Sequence, residues 1–315
     1  MSIFGRTTYS AASYAAFRPS YPPALFNRIL SFHEQGRQIR STPDAGTLLD
    51  LGCGHGLIAR ALSSDFRRVI GLDPSAGMVE QARSMTTGKA SNVEFRQGKA
   101  EELGFLGEGE VDMVVVGQAA HWFNLDKLWA ELGRVVKRGG TLAIWGYKDN
   151  IIVGQPLATK IYDEFTYSEK EVAPGMESMN AYWEKPGRDL IRASLDVVRP
   201  PPSEWKELAR DTYEPNRETC RVSQAEAESA WLQRRMKLGE FEGYVRSFSA
   251  YRGWKDAHPD AKSRAEGGSD GDVVDVMFDH ILDAVPAWKE LGPERWREAE
   301  IDAVWGTVLI VARKL

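Results

Sequence analysis

An acid and three glycines stand together in the stretch TLLDLGCGHGLIARAL, Thr47 to Leu62: Asp50, Gly52, Gly54 and Gly56. Glycine adopts positive φ and lets a ligand approach the main chain where a side chain would block it. The spacing Gly-x-Gly-x-Gly differs from the Gly-x-Gly-x-x-Gly loop that presents a helix N-terminus to a pyrophosphate. A buried carboxylate beside such a loop favours a cationic or amine-bearing ligand. The next apolar run, RVIGLD, ends in a second acid, Asp73. A carboxylate there accepts hydrogen bonds from the two hydroxyls of a ribose. PSAGMVEQAR follows as a helix start and brings Met78 to the same crevice. Taken singly, each has a plainer reading: a tight turn, a helix cap, a core methionine.

These residues need a frame. Apolar runs at 47–51, 68–73, 93–98, 111–117 and 141–147 alternate with helical segments. In NLDKLWAELGRVVKRGG, Leu125, Leu128, Trp129, Leu132, Val135 and Val136 recur at helical spacing, with Asn124 as N-cap and Gly139 and Gly140 as the stop. Short apolar strands alternating with helices predict a doubly wound α/β fold around a parallel sheet. Residues 1–46 form a lead-in with a helix over 24–33. Residues 148–250 are less regular: 210–216 is a candidate strand, and 225–251 reads as one or two helices. Residues 255–272 predict an exposed, partly mobile loop, and 273–285 are amphipathic. IDAVWGTVLIVARKL closes the chain as a long strand that Gly306 can kink. The division expected is a lead-in (1–46), an α/β core (47–147), a cap (148–300) and a C-terminal strand (301–315).

The chain of 315 residues is 43% apolar and 27% charged, with a net charge of −5. That balance offers no electrostatic footprint for nucleic acid or an anionic membrane surface. Its two cysteines, Cys53 and Cys220, cannot build a disulfide framework. No apolar run has the length of a signal peptide core or a membrane span. A cytoplasmic protein, monomeric or weakly dimeric, with no metal site, is the expectation.

The glycine loop, the two acids and the strand order together resemble the cofactor half of the class I S-adenosylmethionine-dependent methyltransferases, over about residues 47–147. The resemblance implies a Rossmann-like, mostly parallel seven-stranded sheet with an antiparallel C-terminal strand, and S-adenosyl-L-methionine as cofactor. It implies that Gly52, Gly54 and Gly56 meet the methionine moiety, Asp50 its amino group, and Asp73 the ribose, while Met78 flanks the adenine. GKAEEL (98–103) places Ala100 and Glu101 at the adenine edge, with Lys99 where the family usually has aspartate. GQAAHW places Gln118 and Ala119 beside the sulfonium. Tyr14 and Arg18 fall on the family's lead-in, where an aromatic covers the methionine end and an arginine meets its carboxylate; a rigid linker, RPSYPP, is the alternative.

YAAFRPSYP, AHWFNLDKL, LAIWGYKD, YWEKPGRDL and VRSFSAYRGWK resemble the fungal trans-aconitate 3-methyltransferases and their relatives. That resemblance implies methyl ester formation on a small carboxylic acid. Its spare carboxylates would need cations, and Arg188 and Arg246 are the candidates. Trp183, Ser249 and Tyr251 lie on the same segments and can shape the pocket. His121, Trp122, Trp145 and Tyr147 fall at the carboxyl ends of strands, where open α/β sheets bind ligands. Two other readings stay open: a phenol or hydroxyl O-methyltransferase with His121 as base, and a non-catalytic cofactor-binding regulator. A dinucleotide oxidoreductase is disfavoured by the glycine spacing.

Overall fold

The computed structural model describes residues 17–35, 46–86, 88, 90–293 and 295–315, with Glu228 described by its backbone alone. Five strands are parallel: β1 (Thr47–Leu51), β2 (Arg68–Asp73), β3 (Val93–Gln97), β4 (Val111–Gly117) and β5 (Val136–Ile152). They lie in the order β3-β2-β1-β4-β5, so the connection reverses direction between β1 and β4. A crevice forms at such a switch point, beyond the carboxyl ends of the strands. Helix α1 (Pro23–Gln35) precedes β1. Helices α2 (Leu57–Ala61), α3 (Ala76–Thr86) and α4 (Leu125–Val135) connect the strands.

Alternation along the strands assigns the two faces. Leu49, Leu51, Val114, Val116 and Ile144 pack with Leu128, Trp129, Leu132 and Val135 of α4. Leu48, Val69, Met113, Val115 and Ala143 point the other way, onto Leu25 and Ile29 of α1, Ile58 of α2 and Val79 of α3. A sheet covered on both faces explains why β4, VDMVVVG, carries no polar stripe. Asn124 caps α4 as expected, its Oδ1 accepting from Lys127 N at 3.2 Å. Gly139 and Gly140 do not end this helix. The chain passes from Val135 directly into β5, and the glycines lie inside an irregular start of that strand. A Cβ on Gly140 would come within 3.1 Å of Asp112 O and 2.8 Å of Lys137 O.

The sheet has eight strands rather than seven. A small hairpin, β6 (Glu171–Ala173) with β7 (Met176–Glu177), stands apart, but β8 (Trp205–Tyr213) and β9 (Gln233–Lys237) both pair with the antiparallel β10 (Glu300–Lys314). β8 takes its C-terminal half and β9 its N-terminal half. Residues 148–300 are therefore not a cap alone, since two of their segments return to the sheet. The register of β10 against β5 shifts between Trp305 and Thr307, at Gly306.

The remaining helices among the described residues, α5 (Pro156–Tyr167), α6 (Gly187–Arg192), α7 (Gln224–Ser229), α8 (Leu238–Arg246), α9 (Ser249–Ala257), α10 (Val273–Ala284) and the short α11 (Pro286–Lys289), follow β5. Stretch 225–251 thus holds a helix, a strand and two further helices instead of one or two helices. Tyr162, Phe165, Phe241, Tyr244, Phe248, Trp254, Met277 and Phe278 from α5 and from α8 to α10 form a second apolar core. The polar loop at 255–272 is tied down: Ser263 and Asp272 are buried within it. Among the described residues no helix is long and apolar enough to cross a membrane.

Candidate active site

Asp50 sits one residue before the end of β1 and is fully buried. Its Oδ2 accepts from Ala59 N at 3.0 Å, while its Oδ1 has no partner. Burial, assisted by the nearby Asp73, pushes its pKa up to about 7. A buried, unsatisfied carboxylate oxygen costs about 1–3 kcal/mol, which a ligand N–H would recover.

The glycine loop lies directly beyond. Gly52 and Cys53 donate to Leu72 O at 2.8 and 3.1 Å, fixing the loop on β2. Gly52 has φ +69°, and a Cβ there would lie 2.4 Å from the Ala119 methyl. Gly54 has φ +54° and nothing within 4 Å of where its Cβ would be. The space in front of Gly54 is open, and only glycine keeps it open in that backbone conformation. Gly56 packs against Phe95. Asp73 Oδ2 accepts from Gly54 N, and its Oδ1 from Ser75 N, both at 2.9 Å. Burial pushes its pKa up. Two of its roughly four lone-pair sites are filled, which leaves two for a diol. Met78 is buried yet belongs to none of the apolar clusters of the core. The orphaned Asp50 oxygen, the open face of Gly54 and the Asp73 lone pairs fit an amine-bearing nucleoside.

Other residues named from the sequence also tie the surrounding elements together. Gln118 adopts φ +55°, and its amide turns away from the crevice onto β5: Nε2 donates to Tyr147 O at 2.9 Å and Oε1 accepts from Tyr147 N at 2.7 Å. It clamps the ends of β4 and β5 together. Ala100 is buried in the core, and Glu101 Oε1 accepts from Asn124 N at 2.7 Å, tying the β3 loop to α4. Trp145 is fully buried, edge-on to Tyr21 with ring centroids 5.4 Å apart. Tyr14 lies outside the described residues.

His121 and Trp122 form a short turn after β4, with ring centroids 4.6 Å apart. Both pack on Gly187 at the start of α6. His121 Nδ1 is buried without a partner. Burial and the charges of Arg188 and Arg18 lower its pKa to about 3. Arg188 Nε donates to Tyr167 OH at 2.8 Å, its Nη2 bonds Asp149, and its guanidinium lies 4.3 Å from the Trp183 ring. Arg18 donates to Ser247 O at 3.2 Å and lies over the rings of Tyr244 and Phe248. Trp183 in turn meets Phe248, and Tyr147 is buried in the same cluster. The structure thus brings together His121, Tyr147, Arg18, Arg188 and Trp183. Asp149, Tyr167, Tyr244 and Phe248 complete the group; Asp149 and Phe248 lie in quoted segments, but nothing in their type marked them.

Arg246 and Tyr251 are engaged elsewhere. Arg246 bonds Glu242, Asp272 and Asp275, at 3.0, 2.8 and 2.7 Å. Tyr251 OH donates to Asp272 Oδ2 at 2.6 Å. Three carboxylates fill the guanidinium, so Arg246 holds α8 to α10 and is no substrate anchor. Ser249 is buried at the start of α9. Arg246→Met leaves Asp272 and Asp275 buried without their cation. It is expected to lower stability by about 3–5 kcal/mol in urea unfolding, while the folded fraction keeps its acceptor KM. A raised KM at unchanged stability would return Arg246 to the substrate site.

Residues 49–144 match the methyltransferase domain family. A Saccharomyces cerevisiae protein described as a probable S-adenosylmethionine-dependent methyltransferase is 26% identical over 276 residues, 87% of each chain. A Dictyostelium discoideum protein named as a candidate methyltransferase is 29% identical, across 84% of this chain and 89% of its own. The solved structure of a candidate type II methyltransferase from Anaeromyxobacter dehalogenans superposes with a TM-score of 0.63 at 22% identity, covering 94% of this chain and 98% of that one, a likeness of fold. The matched segment holds the Asp50 crevice, the open glycine loop and Asp73: residues 49–144 are similar to methyltransferase domains, and the match and the crevice together support S-adenosyl-L-methionine as the cofactor.

Proposed function

We propose that the enzyme is a carboxyl O-methyltransferase that esterifies a small carboxylic acid of the trans-aconitate kind. The observation that carries this is the pairing of a proton-poor His121 with two arginines, Arg18 and Arg188, at the carboxyl end of β4. When bound, S-adenosylmethionine supplies an electrophilic methyl group on a sulfonium. The acceptor carboxylate is already ionised at neutral pH, so no proton has to be removed. Arg18 and Arg188 attract and orient it, and His121 Nδ1, as the N–H tautomer, donates to one oxygen. Trp183, Tyr147 and Phe248 exclude water. Holding the reacting oxygen in line supplies on the order of 7–11 kcal/mol of the barrier reduction.

A phenol acceptor fits less well. An imidazole with pKa about 3 takes a proton from a phenol only in a step uphill by several kcal/mol. His121→Gln is therefore expected to keep kcat/KM for a carboxylic acid within about tenfold, with a flat profile above neutral pH. Loss of a general base would remove about 10²- to 10⁴-fold and a pH limb with it. Radiolabelled methyl transfer to small di- and tricarboxylic acids should give an alkali-labile product. An alkali-stable ether from phenols would overturn the proposal.

A further inference from the structure

A cavity of about 450 Å³ opens beside Asp149, lined by Lys148, Asp149, Asp163, Arg192, Glu214 and Arg217, with Tyr167 as a wall. Lys148 pairs with Glu214 and Arg217 with Asp163, while Asp149 is shared by Arg188 and, at 3.3 Å, Arg192. The lining itself holds three cations and three carboxylates, but Arg188, outside the lining, also draws on Asp149, so the four cations of this group meet three carboxylates and one positive charge is left over. Arg217 Nη1 is moreover buried with no hydrogen-bond partner. A guanidinium N–H left without an acceptor beside an uncompensated charge calls for an oxyanion. The register shift of β5 against β10 falls at this point, opposite Lys148 and Asp149. Such bulges turn strand side chains out of their regular alternation. Gly306 leaves room for it, since a Cβ there would lie 3.0 Å from Lys148 Cε.

We propose that this cavity is a second anion site, which binds one small carboxylate through Arg217, Arg192 and Lys148. The carboxylate has two possible sources: a free acid, or the unreacting carboxylate of the methyl acceptor itself. Asp149 lies two residues beyond Tyr147, about 6–7 Å along the strand, so a short acid can span both places. The site itself stands on the charge count and the orphaned Nη1; only the second source rests on carboxyl methylation. Asp149 also links the cavity to Arg188, since one carboxylate serves Arg188 and Arg192 together.

The test is calorimetric titration of the full chain, saturated with S-adenosylmethionine, with acetate and with propane-1,2,3-tricarboxylate. Arg217→Gln and Arg192→Gln are each expected to weaken binding about tenfold or more, the loss of one charge-assisted hydrogen bond. Cofactor affinity should stay unchanged. Arg192 is half-exposed, so its variant folds even where Arg217→Gln, which strands Asp163, does not. Weakening with both probes assigns the site to a free anion. Weakening with the tricarboxylate alone assigns it to the far end of the acceptor. Unchanged affinity in a folded Arg192→Gln variant, or no binding of either probe to the wild type, overturns the proposal whatever the methyl acceptor proves to be.

Discussion

Asp50→Asn is expected to weaken S-adenosylmethionine binding about 30- to 100-fold, the worth of a buried hydrogen bond to a charged group, and to flatten its pH dependence. In the unliganded protein Asp50 is pushed up to about 7 by burial and by Asp73. The cofactor's ammonium needs the ionised carboxylate, so binding below pH 7 must expel a proton. Wild-type affinity should then fall by up to tenfold per pH unit below 7 and level off above about 8. Stability of the unliganded chain runs the other way. A carboxyl whose folded pKa is raised contributes stability that is present below its unfolded value of 3.8 and is lost as pH rises toward 7. Asn at this position escapes that loss, at most about 4 kcal/mol. The variant should therefore melt higher than the wild type at pH 8 when empty, yet gain less from cofactor. Calorimetry at pH 6, 7 and 8 checks both. A wild-type affinity that is flat across that range would sink the assignment of Asp50 to the amino group.

The crevice was legible because its determinants are local. Asp50, the glycines and Asp73 lie on consecutive elements, where backbone conformation and strand period restrict residue type directly. The far half of the chain was not, because its determinants are pairings across long separations. LQRRMK contains good helix formers, yet Gln233–Lys237 is a strand, recruited by the open edge of β10 from Glu300 to Val304. Strand preference of this kind comes from the neighbour, not from the segment. Gly139 looks like a helix stop but occupies the irregular entry of β5, because Val136 pairs with Val111 before the helix can fray. The arginines show the same limit. Arg188 and Arg246 carry identical side chains on similar segments, and only their partners separate them. Arg246 finds three carboxylates. Arg188 finds Asp149 and Tyr167 and keeps its face toward Trp183 and His121.

That difference makes Arg188 the second large effect. Arg188→Met removes the guanidinium between Trp183, Tyr167 and Asp149, and the acceptor KM is expected to rise about 30- to 100-fold with cofactor affinity unchanged. The substitution also strands Asp149, whose side chain is 9% exposed and keeps the Tyr167 hydroxyl at 2.5 Å but only one cation, Arg192 at 3.3 Å. Stability should fall by about 3 kcal/mol or more. Adding Asp149→Asn separates the two consequences. An amide at 149 no longer needs a cation, so the double variant should recover most of the lost stability. It does not restore a cation to the acceptor pocket, so KM should stay high. Urea unfolding and steady-state kinetics on the four proteins give the cycle. If KM returns to the wild-type value along with stability, Arg188 acts only by neutralising Asp149, and the acceptor is anchored by Arg18 alone.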